Sequence, residues 1–263
     1  MKKYELVSKV GQNYSITTPQ AGNIKKGYLF AFAKSGSTLL DRMIRDYCKQ
    51  VSVPTLSLFG ECFQQGIKPT NILSDAKKCI EMDGIIYTGF RHYPLNFDID
   101  LANSNQMLLV RDPRDMLVSL YFSISKSHVV LKGDDGFTAE RESAKMMSLD
   151  SFVLERAASY NNNFKKYKSV LSDIPLLVSR YEDVIFEKEQ WMKDIIKHFA
   201  LPFDEKLILN VVNKYDIVPE RENDNLHIRQ VHPGNFLKKL QPDTIEKLNE
   251  ILSEFLDEFS YIK

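Results

Sequence analysis

Cysteine is scarce and unpatterned in this chain. Cys48, Cys62 and Cys79 form no C-x-x-C pair and no zinc-type spacing with the five histidines, and an odd number argues against a disulfide framework. A reduced compartment fits best. Net charge is missing as well: 35 basic and 35 acidic side chains cancel, so no bulk field draws the protein to nucleic acid or to an anionic membrane. Any affinity for polyanions has to be local. No run of 18 apolar residues could span a bilayer, and the start Met1-Lys2-Lys3-Tyr4-Glu5-Leu6 lacks the apolar core of a secretory signal. The expectation is a soluble, cytoplasmic protein with neither nucleic acid nor membrane as partner. No repeat or low-complexity linker divides the 263 residues, enough for one large core, and residues 1–263 read as a single domain.

What is present begins at residues 29–39, Leu-Phe-Ala-Phe-Ala-Lys-Ser-Gly-Ser-Thr-Leu. A short apolar strand breaks at a small-residue turn and restarts as a helix, which aims free backbone N–H groups and the positive end of a helix dipole at one point. Phosphate or sulfate suits such a point, and Lys34 adds a mobile cation. A Walker-type loop places its lysine directly after the last glycine, whereas Lys34 precedes Gly36 by two residues. The loop is phosphate-binding in type without being an ATPase loop. A plain strand-to-helix turn, with Gly36 needed only for its backbone angles, is the alternative.

Along the chain, short apolar runs alternate with helical patterns. Strands are expected at 27–33, 84–90, 106–110 and 175–179. Helices are expected at 38–49, 113–125, 151–171 (with Leu154, Ala157, Ala158 and Tyr160 facing inward), 188–199, 204–214 and 242–259. Such alternation implies an α/β fold with a central, mainly parallel sheet flanked by helices on both faces, in three layers. Residues 126–147 and 216–233 lack clear periodicity and read as lid or acceptor loops. In sheets of this kind ligands sit beyond the carboxyl ends of the strands.

Leu108-Leu109-Val110-Arg111-Asp112-Pro113-Arg114-Asp115 is the second constellation. A buried strand delivers Arg111 at its carboxyl end, and the following helix carries Ser119 two turns on. An arginine fork pairs with two oxygens at once, which suits a second phosphate. The competing reading is a solvated charge cluster at a helix start. A third, the metal-ligand strand of a P-loop ATPase ending in Asp112, loses its support without a Gly-Lys-Ser/Thr loop upstream.

Together these two segments resemble the signature regions of sulfotransferases that use 3′-phosphoadenosine-5′-phosphosulfate (PAPS). The Lys34 loop resembles that family's 5′-phosphosulfate loop, and residues 109–119 its 3′-phosphate site. Val178-Ser179-Arg180-Tyr181-Glu182-Asp183 resembles the R-Y-E-D segment, and Arg229-Gln230-Val231-His232-Pro233-Gly234-Asn235-Phe236 the C-terminal R-K-G-x-x-G-D-W motif. The likeness spans residues 27 to 262 and implies a P-loop-type fold. Two departures stand out. Leu39 replaces the adenine-stacking tryptophan, and Gln230, Val231 and Phe236 replace Lys, Gly and Trp.

The resemblance implies PAPS as cofactor, with Lys34, Ser35, Gly36, Ser37 and Thr38 on the 5′-phosphosulfate. Arg111, Ser119 and Arg229 would hold the 3′-phosphate, with Tyr181 on the adenine side. Gly89-Phe90-Arg91-His92-Tyr93-Pro94 resembles the T-H-x-P segment carrying the base, which makes His92 the catalytic base and Lys34 the group that stabilises the departing oxygen. No metal is expected, because lysine, arginine and backbone donors supply the positive charge. Implied is a small-molecule enzyme of the kind that serves bacterial specialised metabolism. Acids in the two loops, among them Glu140, Glu142, Asp216 and Glu220, hint at a polar or cationic acceptor. Two alternatives stay open at this point: a P-loop nucleotide kinase or phosphotransferase, and a PAPS-binding protein without chemistry.

Overall fold

The computed structural model describes residues 1–94, 97–127, 135–172, 174–219 and 230–262. Two strands, β1 (Lys2–Val7) and β2 (Asn13–Thr18), pair antiparallel as a hairpin. The central sheet holds β3 (Gly27–Ala31), β4 (Thr55–Leu56), β5 (Ile86–Tyr87), β6 (Asn105–Val110) and β7 (Leu176–Arg180), in the order β4-β5-β3-β6-β7. Every pairing in it is parallel. Helices α1 (Ser37–Gln50), α2 (Leu58–Gln64), α3 (Pro113–Phe122), α4 (Asp135–Met146), α5 (Leu149–Leu171) and α6 (Tyr181–Val184) follow in the chain. After them come α7 (Lys188–His198), α8 (Glu205–Tyr215), α9 (Phe236–Lys239), α10 (Pro242–Ile251) and α11 (Ser253–Glu258).

β3 explains why the sheet is covered on both sides. Successive side chains of a strand point to opposite faces, and all five residues of β3 are buried. Tyr28 and Phe30 belong to the core shared with β1, β2, α3, α5, α10 and α11. Leu29 and Ala31 belong to the one shared with α1, α7 and α8. Phe30 packs its ring 5.1 Å from Phe90 and 5.7 Å from Tyr93, and truncating a ring in such a cluster costs about 3–5 kcal/mol.

Several expected elements shift in detail. The strand read as 84–90 keeps its ladder only at Ile86–Tyr87, because Gly84 and Gly89 both take positive φ. Within the segment read as an unpatterned loop, residues 135–146 form α4. The long C-terminal helix breaks at Leu252 into α10 and α11. Ala158 faces solvent, not the core, since the buried stripe of α5 runs Val153, Ala157, Tyr160, Phe164, Tyr167, Leu171 and leaves position 158 off the line.

Strand order fixes where a ligand would lie. From β3 the chain moves outward to β4, returns to β5, then crosses to β6 on the other side of β3, so the winding reverses at β3, and sheets of this kind take their ligand in the crevice beyond the carboxyl end of that point.

Candidate active site

Four segments enter that crevice, each leaving the carboxyl end of one parallel strand: Lys34 after β3, Arg91 and His92 after β5, Arg111 after β6, Tyr181 after β7.

The β3 exit is a tight turn. Lys34 takes φ 69° and Gly36 φ 95°, both in the left-handed region. A Cβ on Gly36 would stand 3.0 Å from the Tyr181 ring, so glycine is required here by angle and by space. Tyrosines two turns apart on α5 hold the strand end, Tyr167 donating to the Ala31 carbonyl at 2.9 Å and Tyr160 to that of Ala33 at 3.1 Å. Ser35 differs from its expected role. Its hydroxyl donates to the Phe32 carbonyl at 2.8 Å and its N–H to the same oxygen at 3.3 Å, so both donors shape the turn and are not offered to a ligand. Helix α1 then starts at Ser37 with no side-chain cap and no acid in its first turn. Among the longer helices α3, α5 and α8 are capped by Asp112, Ser148 and Asp204, and α7 and α10, uncapped like α1, carry Glu189 and Asp243 in their first turns. The first amides of α1 are thus left without an internal acceptor, the arrangement an anion completes.

Beyond β5, Gly89 (φ 78°) turns the chain so closely over Ser57 that a Cβ would fall 2.1 Å from its hydroxyl. Thr88 then donates to Asp41 of α1 at 2.5 Å, and Arg91 Nη2 to Thr38 Oγ1 at 3.1 Å. These two bonds tie the His92 turn to the start of α1. His92 itself is solvent-exposed. Desolvation by the surrounding loop atoms still lowers its pKa from 6.5, and the positive charges of Arg91 and Lys166 act in the same direction. All three causes disfavour the charged ring. The imidazole is neutral at pH 7 and able to accept a proton.

At the β6 exit the solvated-cluster alternative fails. Arg111, Asp112, Arg114 and Asp115 are all buried, none above 6% exposed. Arg111 Nη1 lies 3.4 Å from the Lys34 carbonyl, its Nη2 lies 3.3 Å from Asp115, and its guanidinium covers the Tyr181 ring at 4.4 Å. Its Nε is buried with no partner among the described residues. Burial pushes the Tyr181 hydroxyl up to about 12, keeping it a donor to the Val231 carbonyl at 2.9 Å. Leu39 packs against Tyr181, Ile185 and Val231. The residue standing where tryptophan was expected therefore lines the same apolar patch as Tyr181. Ser119 is half-buried on α3, and its hydroxyl has no partner among the described residues. Arg229, His128, residues 128–134 of the first expected loop and 220–229 of the second lie outside the described residues.

Sequence reasoning missed Arg91 as a contact of the loop, although it adjoins His92. The loop acids also read differently in three dimensions. Glu140 pairs with Arg156, Glu142 with Lys145 and Asp216 with Lys188, so each of these three has a cation beside it. Around His92 the neighbouring charges are positive. Among the described residues no cluster of His, Cys, Asp or Glu is placed to hold a metal ion, and no helix is long and apolar enough to cross a membrane.

The sequence model of the sulfotransferase domain matches residues 26–259. Among solved structures the chain is similar to mouse sulfotransferase SULT7A1 complexed with adenosine 3′,5′-bisphosphate (PAP), at TM-score 0.63 and 12% identity over 94% of this chain and 92% of that one. It is also similar to retinol dehydratase, solved with androsterone and PAP, at TM-score 0.57 and 12% identity over 88% and 80%. The same enzyme with retinol and PAP gives TM-score 0.57 and 12% identity over 91% and 82%. No curated protein matches the chain at the sequence level.

Proposed function

Since the chain belongs to the sulfotransferase domain family, it is an enzyme of sulfuryl transfer, and we propose that PAPS is its donor and a small soluble molecule bearing a hydroxyl or amine its acceptor. One observation carries this reading: beside the uncapped start of α1, Arg111 reaches the Lys34 carbonyl at 3.4 Å, and its buried Nε has no partner among the described residues. Two anion-seeking sites, built from different strands, thus meet in one crevice, as a nucleotide phosphorylated at both ends requires. The donor set of amides, ammonium and guanidinium suits phosphate and sulfate oxygens. Solved neighbours carrying PAP support the same cofactor.

When bound, PAPS supplies an activated sulfuryl group whose bridging oxygen leaves with negative charge. Lys34, Gly36, Ser37 and Thr38 hold the 5′-phosphosulfate, and Ser35 shapes their turn. Arg111, Ser119 and Arg229 hold the 3′-phosphate, and Tyr181 with Leu39 flanks the base. His92 takes the acceptor's proton as its oxygen or nitrogen bonds to sulfur. Lys34, close to the loop amides, offsets charge on the departing oxygen. Arg91, tied to Thr38, holds positive charge on the side where the acceptor enters.

Residues 1–263 act as one unit in this reading, and three buried thiols favour a reducing, cytoplasmic setting. An acceptor the size of retinol or androsterone, bound by a structural neighbour, is the scale the crevice is proposed to serve. The test uses ³⁵S-labelled PAPS with a panel of hydroxyl and amine metabolites. Label should pass to at least one, and His92→Ala should lower the rate by about 10²–10⁴ while leaving PAP affinity within about threefold. Transfer by His92→Ala at the wild-type rate would remove His92 from the mechanism.

A further inference from the structure

Asp115 belongs to neither set of contacts assigned above, yet it is the most enclosed charge of the crevice, its side chain 0% exposed. Three donors converge on its carboxylate. Arg111 Nη2 stands 3.3 Å and the Gly234 N–H nitrogen 2.8 Å from Oδ2, and the Phe236 N–H nitrogen 2.9 Å from Oδ1. Two of the three are backbone amides of the segment that re-enters a few residues after Arg229. One carboxylate therefore joins the arginine at the end of β6 to the C-terminal segment.

Arg114, three residues on, shows what a finished guanidinium looks like here. It bonds Asp112 at 3.0 and 2.6 Å, Asn249 at 2.7 Å and the Ile262 carbonyl at 2.7 Å, and lies over the Phe236 ring. Among the described residues Arg111 has only two long bonds, and its Nε has no partner. A buried guanidinium normally fills its donors. Arg111 is therefore held in position with capacity left for another anion, and Asp115 is what holds it.

We propose that Asp115 is a positioning residue for recognition of the cofactor's 3′-phosphate: it aims the Arg111 guanidinium and, through the amides of Gly234 and Phe236, clamps the C-terminal segment to it. The proposal rests on the reading of Arg111 as a 3′-phosphate contact. Phosphate binding would couple to the clamp, because the guanidinium that would donate to the phosphate also donates to the carboxylate holding both amides.

Calorimetric titration of wild type and Asp115→Asn with PAP and with adenosine 5′-monophosphate, which lacks the 3′-phosphate, tests this. Charge-assisted bonds to a dianion should give the wild type a preference for PAP of about a hundredfold. Asp115→Asn should lose about tenfold or more of that preference while its affinity for the monophosphate stays within about threefold. A wild type without preference for PAP would overturn the assignment of Arg111, and with it the site reading. A wild type that discriminates beside an Asp115→Asn that discriminates equally would overturn the positioning role alone. Should that variant not fold, amide hydrogen exchange at Gly234 and Phe236 in the wild type decides. PAP is expected to slow exchange at both amides and the monophosphate is not. Equal protection by the two nucleotides, or none from either, contradicts the coupling, since a purely structural carboxylate would hold these amides whatever is bound.

Discussion

Lys34 sits at φ 69°, where an L-residue costs roughly 1–2 kcal/mol relative to the right-handed region. Glycine would relieve that strain, so keeping a lysine there makes sense only if its ammonium matters. Lys34→Gly is expected to melt no lower than wild type and to transfer sulfuryl about 10²–10³ more slowly; an unchanged rate would show that the ammonium is dispensable. His92 makes a claim about pH. Its pKa is lowered from 6.5 by desolvation, Arg91 and Lys166, so the base form persists below the usual histidine range. The acid limb of kcat/KM for PAPS, which reports the free enzyme, should have its midpoint below 6.5. In the kcat profile that limb should move upward, because a bound anion favours the imidazolium; a kcat/KM midpoint above the ordinary value would contradict the assignment. Residues of this kind were legible in the sequence, since a lysine in a small-residue turn or an arginine at a strand end carries its chemistry locally. Ser35 was not. Whether a hydroxyl serves a ligand or its own turn depends on which carbonyl folds beneath it, here that of Phe32.

Among the elements, the strands and helices around the crevice were readable because each has one strong pattern: an apolar run for β3 and β6, and for α5 a stripe at intervals of three and four. The β1–β2 hairpin carries a weaker signal, for β1 buries only Leu6 and leaves most of its side chains in water. α4 likewise has a thin apolar stripe, with Ala144 buried and Phe137 half-buried. How elements are joined is invisible to periodicity altogether. Glu182 of α6 illustrates this, accepting the Asp112 N–H at 2.9 Å and the Tyr261 hydroxyl at 2.8 Å and so linking β6, β7 and the C-terminus. Desolvation, the largest cause, raises its pKa above 4.5 despite these bonds. A raised folded-state pKa means that stability falls as pH rises through the window above the unfolded value, because the folded protein binds the extra proton. Glu182→Gln keeps the shape and the oxygen that accepts the Asp112 N–H, and its amide N–H can donate to the Tyr261 hydroxyl; it should therefore raise the melting temperature at pH 7.5, and the gain should vanish below pH 4.5. A loss of stability at pH 7.5 would show that the carboxylate's charge is needed by its partners.

At the scale of the molecule, a chain with no net charge brings Lys34, His92, Arg111 and Tyr181 to four strand ends beside the point where the strand order reverses. Burial raises the thiols of Cys48 and Cys62 to about 12 and that of Cys79 to about 11, which leaves them outside the chemistry. The central claim is that this crevice holds a nucleotide phosphorylated at both its 3′ and 5′ positions. Calorimetric titration with PAP in the presence of a chelator tests it most directly. One equivalent should bind, unaffected by chelator, and Arg111→Ala should weaken binding by about tenfold or more. Absence of binding, or binding that appears only with added magnesium and survives Arg111→Ala unchanged, would contradict it.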